Sequence, residues 1–190
     1  MSAWKETGHF QMKRGGIEVA KAYFKQCEND EEYAKASLFL LKHRRDLHPA
    51  YTTMDTLSLL YSYLTEGQLV IGLDEQHQVN SISAYYYGTP EQDFQNKEVV
   101  FVDMVIVEQM HRGTRLFAEG LNFLVHKVLE NRPEVQELSL AALSENKRLC
   151  RMYSKFVEEK YKREGALGEE TVFGGEIRKI GTMLRKTNPV

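Results

Sequence analysis

The turn at residues 109–115, QMHRGTR, carries the residue types of an anion site. It follows the apolar run 99–107, VVFVDMVIV, and precedes residues 116–128, LFAEGLNFLVHKV, whose apolar spacing predicts an amphipathic helix. The first N–H groups of a helix lack partners within the helix, and the helix dipole places partial positive charge at that end. Arg112 and Arg115 add two full charges. Because arginine is unfavourable at a positive helix end unless an anion offsets it, the turn predicts phosphate or pyrophosphate binding.

Asp103 interrupts the apolar run just before this turn. In a regular strand its side chain points to the same face as Val99, Phe101, Val105 and Val107. A carboxylate among apolar side chains is either paired with a neighbour or kept for proton transfer. Both interpretations of Asp103 stay open at this point.

A third cluster lies in residues 144–156, SENKRLCRMYSKF. On a helix, Asn146, Leu149 and Tyr153 share one face because they recur at three- and four-residue spacing. In one interpretation Asn146 caps the helix and the other two side chains pack in the core. In the other, Tyr153 faces a cleft and donates its phenolic proton.

The helices and strands that must position these residues are predicted from the spacing of the apolar residues, which is helical in some segments and alternating in others. Helical spacing, with Asn29 and Asp30 as a stop and a fresh N-cap, gives way to a period of two. Together these patterns predict an order of helices, a hairpin, a strand–helix–strand–helix unit and two last strands. The unit between residues 99 and 141 predicts parallel strands in a mixed α/β sheet with antiparallel edges. The predicted helices are 17–28, 31–46, 55–64, 116–128 and one from about 144; the predicted strands are 68–73, 79–87, 99–107, 135–143, 157–163 and 170–180.

Length and composition favour one domain without a charged or membrane partner. The chain has 190 residues and 22.0 kDa, a formal net charge of -2 and a pI near 6.3. These values give no global attraction to nucleic acid or anionic membrane, and no apolar run approaches a bilayer span. Cys27 and Cys150 lack metal-like spacing and fall in different predicted helices. We therefore expect a cytoplasmic protein with reduced thiols and no metal site.

The combined pattern, VIVEQMHRGTRLF followed by LSENKRLCRMYSKF, resembles the GNAT superfamily of acyl-CoA-dependent N-acyltransferases. The pyrophosphate motif of that family is Arg/Gln-x-x-Gly-x-Gly/Ala after a valine-rich strand. Val107 falls on the valine before the loop and Arg112 on the Arg/Gln position. Asn146 and Tyr153 fall on the later Asn and Tyr of the family. The resemblance covers about residues 55–180.

The resemblance implies an α/β fold of the GNAT type. Such a fold has a mixed, mostly antiparallel twisted sheet flanked by helices, with a central parallel strand pair splayed around CoA. A helical pair is predicted to precede it. Residues 1–190 would form a single acyltransferase domain, with an N-terminal helical segment at 1–50 and the core at 51–180.

The resemblance also implies an N-acetyltransferase that moves an acetyl or short acyl group from acetyl-CoA to a primary amine of a small molecule. Asp103 lies on the strand where many members carry the general base, and Tyr153 matches the tyrosine that protonates the departing thiolate. Acceptor determinants are expected in the N-terminal helices, at 85–87 and at 91–98. Neither nucleic acid nor a membrane is an expected partner, and a homodimer is left open. The residues expected to bind the coenzyme are Val105, Val107, Arg112, Gly113, Thr114, Arg115, Leu116, Phe117 and Asn146.

Three departures from the family motif favour other interpretations. Arg115 stands at the key glycine, Phe117 at the Gly/Ala position, and Val157-Glu158 replaces the usual Gly-Phe. The glycine lets the backbone approach the pyrophosphate, so Arg115 either adds a charged contact or weakens binding. A non-catalytic CoA-binding regulatory module, or acetylation of a protein amine, is therefore the alternative.

Overall fold

A computed structural model describes residues 22–113 and 115–187, which form one seven-stranded sheet with helices on both faces. The strand order is β1-β2-β3-β4-β5-β7-β6. The strands are β1 Tyr23–Gln26, β2 Gln68–Leu73, β3 Val79–Tyr87, β4 Val99–Val107, β5 Glu137–Leu143, β6 Glu158–Gly165 and β7 Gly168–Glu176; the helices are α1 Asp30–Leu47, α2 Thr53–Thr65, α3 Leu116–Asn131, α4 Lys147–Tyr153 and α5 Ile177–Thr187.

The parallel pair at the centre of the sheet confirms the predicted strand–helix–strand unit. β4 and β5 run parallel, and their register extends from the pair Val99 and Glu137 to the pair Val102 and Leu140. Beyond these residues β4 pairs only with β3, and β5 only with β7. The other neighbouring strands in the sheet are antiparallel. The two central strands therefore separate over their C-terminal halves.

A β-bulge at Asp103 changes the predicted alternation of β4. Tyr85 of β3 faces Val102 and Ala84 faces Met104, so Asp103 has no counterpart on β3. A bulge adds local twist and bends the strand that carries it. Here it coincides with the point where β4 leaves β5.

The sequence predicts that Val99, Phe101, Val105 and Val107 share a face with Asp103. Because of the bulge, this prediction is wrong for two of these four residues. Phe101 and Met104 both belong to the core beneath α1 and α2, whereas Val105 packs against the core beneath α3 and α5. Val107 likewise borders the cavity beside α3. Asp103 thus shares the α2 face of the sheet with Phe101, and the two valines lie on the α3 face.

Each face of the sheet has its own hydrophobic core. On the α3 face the helices contribute buried positions at helical spacing, among them Leu121, Leu124, Val128, Ile180 and Leu184. On the α2 face the helices contribute Ala36, Phe39, Leu40, Leu60 and Tyr63. Two cores hold the sheet rigid from both sides, so the separated ends of β4 and β5 have fixed supports.

The two ends of the described chain differ from the sequence prediction. The predicted helix 17–28 is wrong over its described part, because Tyr23–Gln26 forms β1 on the edge of β2; residues 17–21 lie outside the described residues. The predicted strand 170–180 ends at Glu176, and Ile177 begins α5. Helical spacing of the apolar residues in 177–187 was the signal for this helix.

The cysteines are unpaired, as expected, although Cys27 follows β1 rather than lying in a helix. Burial raises the pKa of the Cys27 thiol to about 12, which keeps it protonated and unreactive. Among the described helices, none has the length and apolar character needed to cross a bilayer.

Candidate active site

The separation of β4 from β5 creates the main opening in the sheet. The facing edges of residues 103–107 and 141–143 have no strand partner in each other. Backbone N–H and C=O groups on such edges are strong hydrogen-bonding groups that need a partner. The cavity between β4 and α3 measures ≈ 20 Å³, room for about one water. An extended ligand would therefore lie along the open strand edges.

The turn between β4 and α3 is the segment for which the sequence predicts an anion site. Gly113 has a φ of 86°, in the left-handed region, and a Cβ built there would have no atom within 4 Å. Arg115 precedes the first helical residue, and its side chain does not cap the helix. The side chain of Arg115 therefore does not cap the positive end of α3. Thr114 lies outside the described residues.

Arg112 makes its polar contacts with the end of β4 and with α1. Its Nε donates to the carbonyl oxygen of Val107 at 2.9 Å, and a terminal nitrogen lies 3.0 Å from Oδ1 of Asp46 on α1. Burial raises the pKa of Asp46, but the contacts with His43 and Arg112 outweigh burial and hold the pKa below its ordinary value. Arg112 therefore ties the turn to α1.

Asp103 is paired with a tyrosine that the sequence analysis missed. The hydroxyl of Tyr63, on α2, donates to Oδ2 of Asp103 at 2.6 Å. Although Asp103 retains solvent contact, desolvation in the cleft raises the pKa of its carboxyl group, and the Tyr63 hydrogen bond only partly lowers it. A carboxylate with a raised pKa is a stronger base than an ordinary one. The pairing and the proton-transfer interpretations are thus compatible.

A second polar group that the sequence analysis missed lies on the same face. Arg163 of β6 donates to Glu91 at 2.6 Å and to Glu170 of β7 at 2.8 Å, and its Cζ lies 5.2 Å from the ring centroid of Phe101. Burial raises the pKa of Glu91, but hydrogen bonds, chiefly from Arg163, outweigh it and lower the pKa. We call Arg163, Glu91 and Glu170 the arginine clamp.

Among the described residues, no cluster of His, Cys, Asp and Glu side chains has the arrangement of a metal site. Instead, Arg163 donates to Glu91 and Glu170, and Tyr63 donates to Asp103.

Comparison with solved structures identifies the fold. The structure superposes on an acetyltransferase of the GNAT family from Streptococcus pneumoniae with a TM-score of 0.61 and 9% identity, covering 82% of this chain and 99% of that one. The chain has the GNAT fold. Aminoglycoside acetyltransferase AAC(6')-Ib, in complex with coenzyme A and kanamycin, shares this fold at TM-score 0.64 and 14% identity, covering 90% and 100% of the two chains.

Arabidopsis thaliana NAA60 in complex with acetyl-CoA is also similar, with a TM-score of 0.62 and 12% identity, covering 83% of this chain and 99% of that one. No family model and no curated protein sequence matches the chain. The GNAT fold is thus recognised here from the structure, at identities too low to carry an activity.

Within this GNAT fold, the remaining predicted site residues divide between the core and the turn. Tyr153 is buried, with its ring 5.9 Å from that of Phe117 and 5.8 Å from that of Phe173. Asn146 caps α4, because its side chain accepts from the N–H of Leu149 at 3.1 Å. The packing and capping roles considered for these two residues are therefore present. Burial raises the pKa of Tyr153, so its hydroxyl stays protonated.

Proposed function

We propose that this protein is an acyl-CoA-dependent N-acyltransferase that transfers an acetyl or other short acyl group to a primary amine of a small molecule. The observation that carries the proposal is that the pairing of β4 with β5 ends at Val102, beside Asp103 in the bulge. This arrangement offers an extended site for a coenzyme and a base at its inner end. Direct attack in a ternary complex suits such a site, because no nucleophile for a covalent intermediate is required.

The residues around the opening fit acyl-CoA. The main chain of Val105 and Val107 lies along the open edge of β4, where an extended amide-bearing arm can take the place of a strand. The end of α3, with Gly113 and Arg115, suits a pyrophosphate. When bound, the coenzyme supplies an activated thioester carbonyl. The two similar proteins solved with coenzyme A or acetyl-CoA support this assignment.

Asp103 is proposed as the base that accepts the proton of the acceptor amine. An alkyl amine with a pKa near 10.4 is neutral in about one molecule in a thousand at pH 7, a handicap of about 4 to 5 kcal/mol. Tyr63 holds one oxygen of Asp103, leaving the other oxygen to accept a proton directly or through water. A raised pKa of the Asp103 carboxyl group favours this step.

Tyr153 is proposed as the proton donor to the departing sulfur. Burial keeps its hydroxyl protonated, and the rings of Phe117 and Phe173 fix its orientation. The main chain of β4 beside the opening is proposed to donate an N–H to the developing oxyanion. These assignments divide the proton transfers between the two faces of the sheet.

One observation favours the alternative of a CoA-binding module without catalysis. Arg115 replaces the glycine of the family motif. A panel of small amines and peptide N-termini, tested for thiol release from acetyl-CoA, separates the possibilities. Release with small amines supports the proposal, release with peptides only favours a protein acceptor, and CoA binding without release favours the module.

CoA is expected to stabilise the protein through its pyrophosphate. At a concentration one hundred times its dissociation constant, a ligand of the native state adds about 2.7 kcal/mol, which corresponds to about 5 to 11 °C in melting temperature for a domain of this size. The measurement is thermal denaturation with CoA or acetyl-CoA. Absence of any shift at millimolar ligand would exclude the proposed coenzyme.

Arg112→Ala is expected to weaken CoA binding several-fold, because the turn that presents the end of α3 loses its tie to Asp46. Arg45→Ala removes the same charge from an exposed position of α1 and serves as the matched control. Calorimetry with CoA and with dephosphorylated pantetheine measures the difference. Equal losses for both ligands would mean that Arg112 does not affect the phosphate site.

Tyr63→Phe is expected to move the acid limb of the turnover profile to higher pH. The Tyr63 hydroxyl stabilises the charged form of Asp103 and so lowers the pKa of that carboxyl group; without it the pKa rises further and the base is protonated at higher pH. Tyr86→Phe is the control, since its hydroxyl contacts Ser62 instead. An unshifted limb in Tyr63→Phe would show that Asp103 does not set the profile.

A further inference from the structure

Arg163 lies across the strand that carries the proposed base. Phe101 and Asp103 are on the same face of β4, and the guanidinium of Arg163 covers the Phe101 ring at 5.2 Å. Val99, two residues earlier on the same strand, borders a separate pocket. Along β4 the proposed base Asp103 is therefore followed by the ring of Phe101, which Arg163 covers, and then by the pocket at Val99.

The arginine clamp holds this cover from two directions. Glu91 belongs to the connection after β3, and Glu170 is the partner of Arg163 across the β6–β7 hairpin. The Arg163 side chain is only 20% exposed, and both of its ion pairs are shorter than 3 Å. Hydrogen bonds to charged groups in a fork geometry fix an arginine more firmly than a single contact does. Arg163 is thus a rigid part of the cleft.

The charge of Arg163 is already matched. Two carboxylates contact it, so the clamp carries a net negative charge and does not attract an anionic substrate group. The charge of Arg163 partly offsets the rise in the pKa of the Asp103 carboxyl group that burial causes, and its side chain fills the space over Phe101. Beyond it lies the pocket at Val99, with a volume of ≈ 340 Å³. Glu91 of the arginine clamp also lines that pocket.

We propose that Arg163 is a specificity-determining residue that closes the acceptor cleft at Phe101 and thereby limits the length of the amine. The inference rests on the proposed function, because it places the reacting amine at Asp103. The tail of the acceptor runs from Asp103 towards Phe101 and stops at the guanidinium that covers this ring. Removal of this side chain is expected to open a path from Asp103 towards the pocket at Val99.

The test is the dependence of kcat/KM on acceptor length. Unbranched primary amines of increasing chain length are compared in the wild type, in Arg163→Ala and in Glu91→Gln, which keeps the arginine but removes one charged partner. Lys162→Ala is the matched control, since Lys162 forms an exposed ion pair with Glu169 on the same hairpin. All variants are first checked for folding by thermal denaturation and for CoA binding.

We expect the wild type to discriminate against long amines, and Arg163→Ala to raise kcat/KM for long relative to short amines by about tenfold, mainly through KM. Glu91→Gln should change the ratio in the same direction by a smaller factor, and Lys162→Ala should leave it unchanged. A uniform loss for all amines in Arg163→Ala and Glu91→Gln would show a structural role only and would overturn the inference, as would an unchanged length profile.

Failure of the proposed function gives a different result. If the wild type binds acetyl-CoA but transfers to no amine, the length dependence is read from calorimetric binding of the same amines to the wild type and to Arg163→Ala. A relative gain in affinity for long amines supports the inference, and equal affinities overturn it. Glu91→Gln provides the same comparison if Arg163→Ala does not fold.

Discussion

Asp103→Asn is expected to lower turnover by about a hundredfold or more at neutral pH. The change keeps the size of the side chain and an oxygen that accepts from Tyr63, but removes the group that takes the proton of the amine. Turnover should recover partly as pH rises, because the neutral amine becomes more abundant. Steady-state rates between neutral and alkaline pH, at saturating acetyl-CoA, measure the effect.

Asp30→Asn is the control for this variant, since it removes the same charge from the exposed start of α1. It should leave turnover within twofold of the wild type. Wild-type rates in Asp103→Asn with a confirmed acceptor would mean that Asp103 serves only as the partner of Tyr63, and that bulk water accepts the proton.

Tyr153→Phe should lower turnover by about a hundredfold while leaving acetyl-CoA affinity nearly unchanged. The phenyl ring preserves the contacts with Phe117 and Phe173, so only the proton donor is lost. Loss of an interaction made only in the transition state lowers kcat and kcat/KM equally. Turnover measured beside calorimetric binding of acetyl-CoA separates chemistry from affinity.

Tyr85→Phe is the matched control, because Tyr85 is a buried tyrosine of the same core. It should leave turnover near the wild-type value. If Tyr153→Phe and Tyr85→Phe behave alike, the hydroxyl of Tyr153 has no part in the chemistry and the residue is a packing residue.

The central part of the fold was predictable because local pattern and tertiary packing agree there. The helix at 31–46, the hairpin of 68–73 with 79–87 and the parallel pair at 99–107 and 137–143 all follow from apolar periodicity and the right-handed crossover rule. Of the pair Asn29 and Asp30, predicted as a stop and a fresh N-cap, Asn29 is the cap of α1, since its side chain accepts from the N–H of Glu32, and Asp30 is the first helical residue. In these segments the residues that form the element also face its core.

The rest depends on contacts between distant residues. Short β1 has apolar residues that also fit a helix, and only pairing with β2 makes it a strand. The hydrogen bond between Tyr63 and Asp103 joins residues 40 apart, and the one between Arg163 and Glu91 joins residues 72 apart. Periodicity reports the face of an element but not the neighbour of that face. The ion pair between Arg112 and Asp46 was missed for the same reason.

The bulge in β4 means that Asp103 is an insertion into an otherwise regular strand. Val100 and Val102 lie on one face with Val105, while Phe101, Met104 and Ile106 lie on the other, so the strand alternates without a fault once Asp103 is left out. A strand one residue shorter would keep these apolar side chains where they are. The sheet therefore does not need Asp103, and this extra residue introduces both the carboxylate and the bend beside the opening. Gaining or losing one codon could change both properties of the site together.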